Sequence, residues 1–217
     1  MKQVSLVGTK HAGGTEHALY KPVSTPWLSN KGQLNLHGFD TCRNIKSGAV
    51  FIVASGPSAK SFPIEKFAHV PMITMNGAIS MFVNTDIKPC FYACTDRSFS
   101  EQQPELFKHA MAISQRVALW EDHARSSRAR PAGRLYPLTK AKRPSWLESV
   151  LGRRRGLVVN HPLLTRRKRP LGFSKDMSQG FFDARTVAYL AIQFAFHVGF
   201  NKVFLVGVDL DENAGRF

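Results

Sequence analysis

Four apolar runs in this 217-residue sequence end in small, hydrogen-bonding residues, and those exits are where chemistry has to be sought. Ala49–Ala54 gives way to Ser55-Gly56-Pro57-Ser58, Pro71–Met75 to Asn76-Gly77, and Cys90–Cys94 to Thr95-Asp96, while Lys202–Val208 contains Gly207 and runs into Asp209. A glycine lets a phosphate or base approach the backbone, and Asp96 and Asp209 have the chemistry to receive ribose hydroxyls, orient an acceptor or take a proton. Each exit alone also has an ordinary structural explanation: a Gly-Pro-Ser turn, an Asn-Gly turn, a carboxylate capping the next helix. Ser55-Gly56-Pro57-Ser58 lacks both the dinucleotide fingerprint and the Walker lysine, which turns the reading away from nicotinamide cofactors and triphosphate-cleaving loops. A fifth segment, Ser174–Gly180, precedes the strongest helical pattern. There Ser178, Gln179 and Gly180 would offer N–H groups and the helix dipole to a phosphate, with Lys175 adding charge; a plain N-cap by Ser178 is the alternative.

The elements that must position these residues are legible in the spacing of apolar runs. With Arg116–Trp120 and Leu157–Asn160 there are six short, nearly continuous runs separated by helix-sized spacers, the pattern of a mainly parallel sheet covered by helices on both faces. The class is α/β, Rossmann-like. In open sheets of this kind ligands bind outside the carboxyl ends of the strands, which is where the four exits fall. The clearest helix is expected from after Gly180 to about Val198, stopped by Gly199, with Ala184, Ala188, Ala191 and Ala195 as a stripe of small residues against the sheet. Residues 1–47 read as an irregular extension and 48–217 as one domain. Within it, about 124–169 forms an arginine-rich insertion, mostly of loops and short helices projecting from the sheet, broken by Pro131, Pro137, Pro144 and Pro162.

Charge is concentrated in that insertion. The chain carries a formal +15, and between Arg125 and Arg169 fourteen cations face a single acid, Glu148. Such a field implies a polyanionic partner: nucleic acid, an anionic membrane surface or a phosphorylated, carboxylated glycolipid. Tyr136 and Trp146 are the only aromatic residues in this stretch, too few for base stacking, so no specific nucleic acid is expected. The longest apolar stretch, Thr186–Phe200, is interrupted by Gln193 and His197 and is too short to span a bilayer, and no export signal is evident, which together predict a cytoplasmic location. Cys42, Cys90 and Cys94 read as buried free thiols, and the eight histidines show no metal-ligand spacing. No metal or other cofactor is inferred. His161, after a strand-like run, is a weak candidate for a base.

Gly172–Gly180, the helix through Thr186–Tyr189 and Ala191–Gln193, and the ending Gly207-Val208-Asp209-Leu210 with Arg216-Phe217 resemble the family of lipopolysaccharide core Kdo-III (3-deoxy-octulosonate) transferases. Ser55-Gly56-Pro57, Asn76-Gly77 and Thr95-Asp96 occur in the same order. More distantly the layout is similar to bacterial sialyltransferases that use CMP-sialic acid. The resemblance implies a glycosyltransferase-like fold and metal-independent, inverting transfer of Kdo from CMP-Kdo to the anionic lipopolysaccharide core. It implies peripheral contact with the inner face of the inner membrane.

By the same resemblance Ser55, Gly56, Pro57, Asn76, Gly77, Thr95 and Asp209 would surround the nucleotide, Ser178, Gln179 and Gly180 its phosphate or the sugar carboxylate, and Lys175, Arg166 and Arg167 the acceptor. The sialyltransferases carry a histidine base and phosphate-binding tyrosines in a lid after the Gly-x-Asp strand, whereas this sequence stops soon after Asp209. The expectation is therefore a chain truncated before that lid, with Asp96 as candidate base. Alternatives are a sialyltransferase-like enzyme for another CMP-activated keto sugar, an RNA-binding basic α/β module, and a pyrophosphokinase-like protein, for which no magnesium-binding carboxylate cluster can be assembled.

Overall fold

The computed structural model describes residues 34–142, 156–159, 172–184 and 186–209. Its strands are β1 (Ala49–Val53), β2 (Met72–Met75), β3 (Phe91–Cys94), β4 (Arg116–Trp120), β5 (Arg134–Leu138), β6 (Leu157–Val159), β7 (Gly172–Ser174) and β8 (Lys202–Val206). Six of them form one sheet in the order β5-β4-β3-β2-β1-β8, and every neighbouring pair is parallel. The α/β, Rossmann-like expectation is met. The chain steps outward from β1 to β5 and then returns to the other side of β1, so the strand order reverses between β1 and β8. All six exits open on one edge.

Side chains alternate across the sheet as the pleat demands. Val50 and Ile52 enter the core on the face covered by helix α4 (Val187–Val198). Val53 points the other way, into the core beneath α2 (Pro104–Ile113) and the 3-10 turn Asn76–Phe82. Two shorter helices, α1 (Phe99–Gln102) and α3 (Glu121–Ser126), follow β3 and β4. On α4, Ala188, Ala191 and Ala195 are buried against the sheet and let the helix lie close, while Ala184, the fourth residue expected in this stripe, lies before the helix. Phe194 sits among them fully buried and stacked on Phe91 at 5.0 Å, a side chain whose burial contributes on the order of 2 kcal/mol. Among the described residues no helix is long and apolar enough to cross a membrane.

Four local expectations are corrected. The arginine-rich segment is not all loops and short helices: Arg134–Leu138 joins the sheet. Pro137 is tolerated there because β5 is an edge strand, where a missing N–H breaks no interior ladder, and Leu36 bridges to Leu135 alongside it. Leu157–Val159 does not join the main sheet; it pairs antiparallel with β7, Val158 opposite Phe173. Its Val158 is 44% exposed, which suits a one-sided ribbon and not a strand covered on both faces. Helix α4 starts at Val187, capped by the Thr186 hydroxyl on the Ala188 N–H, several residues later than Gly180. What holds the intervening chain extended is Phe181, paired with Thr139 and Ala141 through backbone hydrogen bonds, and the fully buried Gln193, whose amide takes the N–H groups of Ser174 and Phe182 and returns one to the Phe182 carbonyl. Last, the end of the supposed irregular extension is part of the core: Phe39 and Cys42 lie in a 3-10 turn, Phe39 packed on Tyr136, Phe194 and His197.

Candidate functional site

The strand exits are laced into one edge. Val53 lies opposite Thr74 and Met75 opposite Ala93, so Ser55, Asn76 and Thr95 leave neighbouring strands side by side. Asn76 takes a left-handed backbone, φ 40°, a conformation asparagine tolerates better than most residues. There its side-chain oxygen accepts the Thr95 N–H at 3.3 Å and its carbonyl accepts the Tyr92 hydroxyl. The Thr95 carbonyl in turn accepts the Trp120 indole N–H at 2.9 Å. At the point of reversal Gly56 donates to the Gly207 carbonyl at 2.9 Å. A Cβ at Gly56 would overlap both that carbonyl and the Asp209 carboxylate, so the glycine is required by the close approach of β1 and β8 exits. Asp209 accepts the Ser58 N–H at 3.0 Å and so caps the turn Pro57–Ser61.

Ser55, Gly56, Pro57, Asn76, Gly77, Thr95, Asp96 and Asp209 thus share the carboxyl edge, and among the described residues a partly enclosed space lies at its β3-β4-β5 end. There a cleft of about 400 Å³ is lined by Thr95, Arg97, Trp120, Lys140, Asp183 and Thr186, with Phe181, Val187 and Leu190 behind. That volume is in the range of small-ligand sites. The half-exposed Trp120 indole packs on Phe181 at 5.7 Å and has two cations near it, the Arg97 guanidinium at 5.4 Å and the Lys140 ammonium at 5.8 Å from the ring centre. Arg97 pairs with Asp122 at 2.9 Å and Lys140 with Asp183 at 2.7 Å. All four are well exposed, so these pairs contribute little to stability and their cations can turn to an anionic ligand. Of the candidate site residues that are described, only Thr95 lines the cleft. Trp120 and Lys140 lie at the carboxyl ends of β4 and β5, a position that would have flagged them had β5 been visible. Asp96, the candidate base, is exposed just outside; one of its oxygens holds the Ser98 N–H and hydroxyl at 2.9 and 2.7 Å.

The Ser174–Gly180 segment is placed differently from the sequence expectation. Its donors are taken by Asp176: the Ser178 N–H at 3.1 Å, the Ser178 hydroxyl at 2.6 Å, the Gln179 amide at 3.2 Å and the Arg43 guanidinium at 2.8 Å. Burial works against the charge on Asp176, but the bonds from Ser178 and Gln179 and the nearby Arg43 outweigh it and hold the carboxyl below its ordinary range. The Met177 N–H donates to His197 Nδ1 at 3.2 Å, near the C-terminal end of α4. Thr186, in the cleft, caps the other end, about 15 Å away along the helix axis. Ser178 and Gln179 therefore form a knot far down the helix from the cleft. Gly180 turns the chain back toward β5, with φ 89° and no room for a Cβ beside the backbone of Lys140 and Ala141.

Lys175 is exposed, its backbone N–H bonded to the Gly156 carbonyl. Arg166, Arg167 and His161 lie outside the described residues. The three cysteines are free and buried, and burial pushes their thiols up, to about 11 for Cys42 and about 12 for Cys90 and Cys94, which removes them as nucleophiles at neutral pH. Among the described residues no group of three His, Cys, Asp or Glu side chains is placed to hold a metal ion.

Residues 146–217 match the family model described as 3-deoxy-D-manno-octulosonic acid transferase WaaZ. The chain is 28% identical over 185 residues to the "Probable 3-deoxy-manno-octulosonic acid transferase" of Salmonella typhimurium (strain LT2), covering 76% of this chain and 66% of that protein. It is 25% identical over 189 residues to the Escherichia coli (strain K12) protein of the same name, covering 79% and 64%. It thus spans just under two thirds of the length of these relatives. No solved structure matches.

Proposed function

We propose, from its similarity to Kdo transferases, that the chain is a member of the lipopolysaccharide core Kdo-III transferase family and moves Kdo from CMP-Kdo to a hydroxyl of the Kdo-containing inner core of lipopolysaccharide, with inversion and without a metal. The observation that carries this reading is the cleft at the carboxyl edge, where two cations lie near one aromatic ring. A CMP-activated keto sugar carries one phosphate and one carboxylate. Arg97 and Lys140 supply countercharges for these groups, and Trp120 a face for the sugar or the cytosine ring. The backbone turn at Ser55-Gly56 and the amide of Asn76 lie further along the same edge, within the part of the sheet where nucleotides bind in folds of this class.

In the reaction the acceptor hydroxyl attacks the anomeric carbon and forms the new C–O bond as the bond to the CMP phosphate breaks. Asp96 takes the hydroxyl proton, and Arg97 and Lys140 offset the charge that grows on the leaving phosphate. The concentration of cations between Arg125 and Arg169 suits a chain working peripherally on the cytoplasmic face of the inner membrane, against an anionic glycolipid. The test is incubation of the purified chain with CMP-Kdo, generated in situ, and a truncated core acceptor, followed by mass spectrometry. One added Kdo and stoichiometric release of CMP are expected; no CMP above background would defeat the proposal.

A further inference from the structure

A second cavity, of about 700 Å³, opens on the other side of the loop that follows β3. Its walls come from α1, α2 and the turn after α3: Ser100, Glu105, Lys108 and Arg128 at the surface over Phe107, with Arg130 closing one side. The two cavities share a partition. Thr95 and Arg97 line the first and Ser100 and Glu101 the second, so the intervening loop, which carries Asp96, separates them. That partition is braced rather than loose. The Ser100 hydroxyl meets His123 Nε2 at 2.9 Å, and the buried His123 ring stacks on Phe107 at 5.2 Å. Arg130 is pinned to the Ala124 and Ser127 carbonyls, which fixes the turn that presents Arg128.

A group transfer between two bound molecules needs two neighbouring sites, and this loop, which carries Asp96, runs between two cavities. We propose that the second cavity is the acceptor subsite and takes a phosphorylated saccharide; the inference rests on the transferase reading of the first cleft. The lining chooses the chemistry. Lys108 and Arg128 are exposed cations without a partner among the described residues, suited to a phosphate or a sugar-acid carboxylate. Glu101, Glu105 and the serine hydroxyls accept the hydroxyl donors of a sugar. The only lining aromatic, Phe107, is 2% exposed, so no ring face is offered to a nucleobase, which argues against a second nucleotide.

The experiment titrates the full chain with phosphorylated core oligosaccharide freed of its acyl chains, with the same oligosaccharide after phosphatase treatment, and with CMP. Wild type is compared with the K108A/R128A double variant, by calorimetry. Expected are at least about ten-fold weaker binding of the phosphorylated oligosaccharide by the variant, much weaker binding of the dephosphorylated one by both proteins, and a CMP affinity unchanged within about two-fold. Equal oligosaccharide affinity in the two proteins, or no binding to wild type, overturns the subsite. Wild type that binds oligosaccharide in the expected manner but not CMP would leave the subsite standing and remove the donor reading of the first cleft.

Discussion

Helix α4 has a polar cluster at each end, and the two have opposite fates. At its C-terminal end Asp176, 7% exposed, gathers Ser178, Gln179 and Arg43. At its N-terminal end Trp120, Arg97, Lys140 and Asp183 surround open space, and the charged members stay exposed. The first cluster has the residue types of an anion site, but its anion is the protein's own carboxylate. The second has room for an anion from outside. Side-chain type alone does not separate a knot from a site; what separates them is whether the donors already have a buried acceptor.

The sharpest way to break this contrast is Asp176→Ala. It removes the acceptor of the Ser178 and Gln179 donors and leaves Arg43 without its carboxylate. With Arg43 half-exposed, the expected loss is about 2–4 kcal/mol of stability, seen as a melting temperature lower by roughly 6–12 °C, while CMP affinity of the folded protein is kept. A variant as stable as wild type but unable to bind CMP would make the knot a ligand site after all. Next in size is Trp120→Ala. Removing the ring should weaken CMP binding about ten-fold and, because Trp120 also packs on Phe181, cost about 1–2 kcal/mol of stability. Ser178→Ala in the same titration should leave CMP affinity within about two-fold, and a Ser178 effect as large as the Trp120 effect would erase the distinction.

The apolar runs that became β1, β2, β3, β4 and β8 were legible because both faces of a parallel sheet are covered, so the strands are apolar without interruption. The edge strand β5 was not, since Pro137 and Arg134 are permitted only where one side of the ladder is unpaired. That omission hid the cleft: Lys140 is the exit of β5, and its neighbour Trp120 read only as the end of a run. The Ser178 turn drew attention because its residues match an anion site; the acceptor that occupies its donors, Asp176, is in the same segment, but its burial and its pairing with Arg43, 133 positions before it, appear only in the folded chain. Asn76 and Gly56 were singled out as turn residues. Their particular demands, a left-handed backbone and a carbonyl at the glycine's Cα, appear only once the neighbouring strands are in place.

The smallest predicted effect probes the knot through its histidine. His197 is buried, accepts the Met177 N–H at Nδ1 and donates from Nε2 to the Phe39 carbonyl at 2.8 Å, an arrangement that requires the neutral ring. Burial lowers its affinity for a proton below the ordinary value of 6.5, although the Asp176 carboxylate, 3.8 Å away, pulls the other way. The folded value lies below the unfolded one, so the unfolded chain takes up the proton first as pH falls. The contribution is therefore complete above about pH 6.5 and is lost progressively as pH drops toward the folded value. His109 and His123 are depressed by burial in the same direction, while Asp176, held below its ordinary 3.8, stays charged until the pH is lower still. Denaturant unfolding between pH 7 and pH 4.5 should show stability declining on acidification, and His197→Gln should flatten that slope by up to about one proton, roughly 1.4 kcal/mol per pH unit at most. A rise in wild-type stability over this range, abolished by the same substitution, would mean that the carboxylate outweighs burial. The knot would then hold an ion pair with His197 and not a neutral ring.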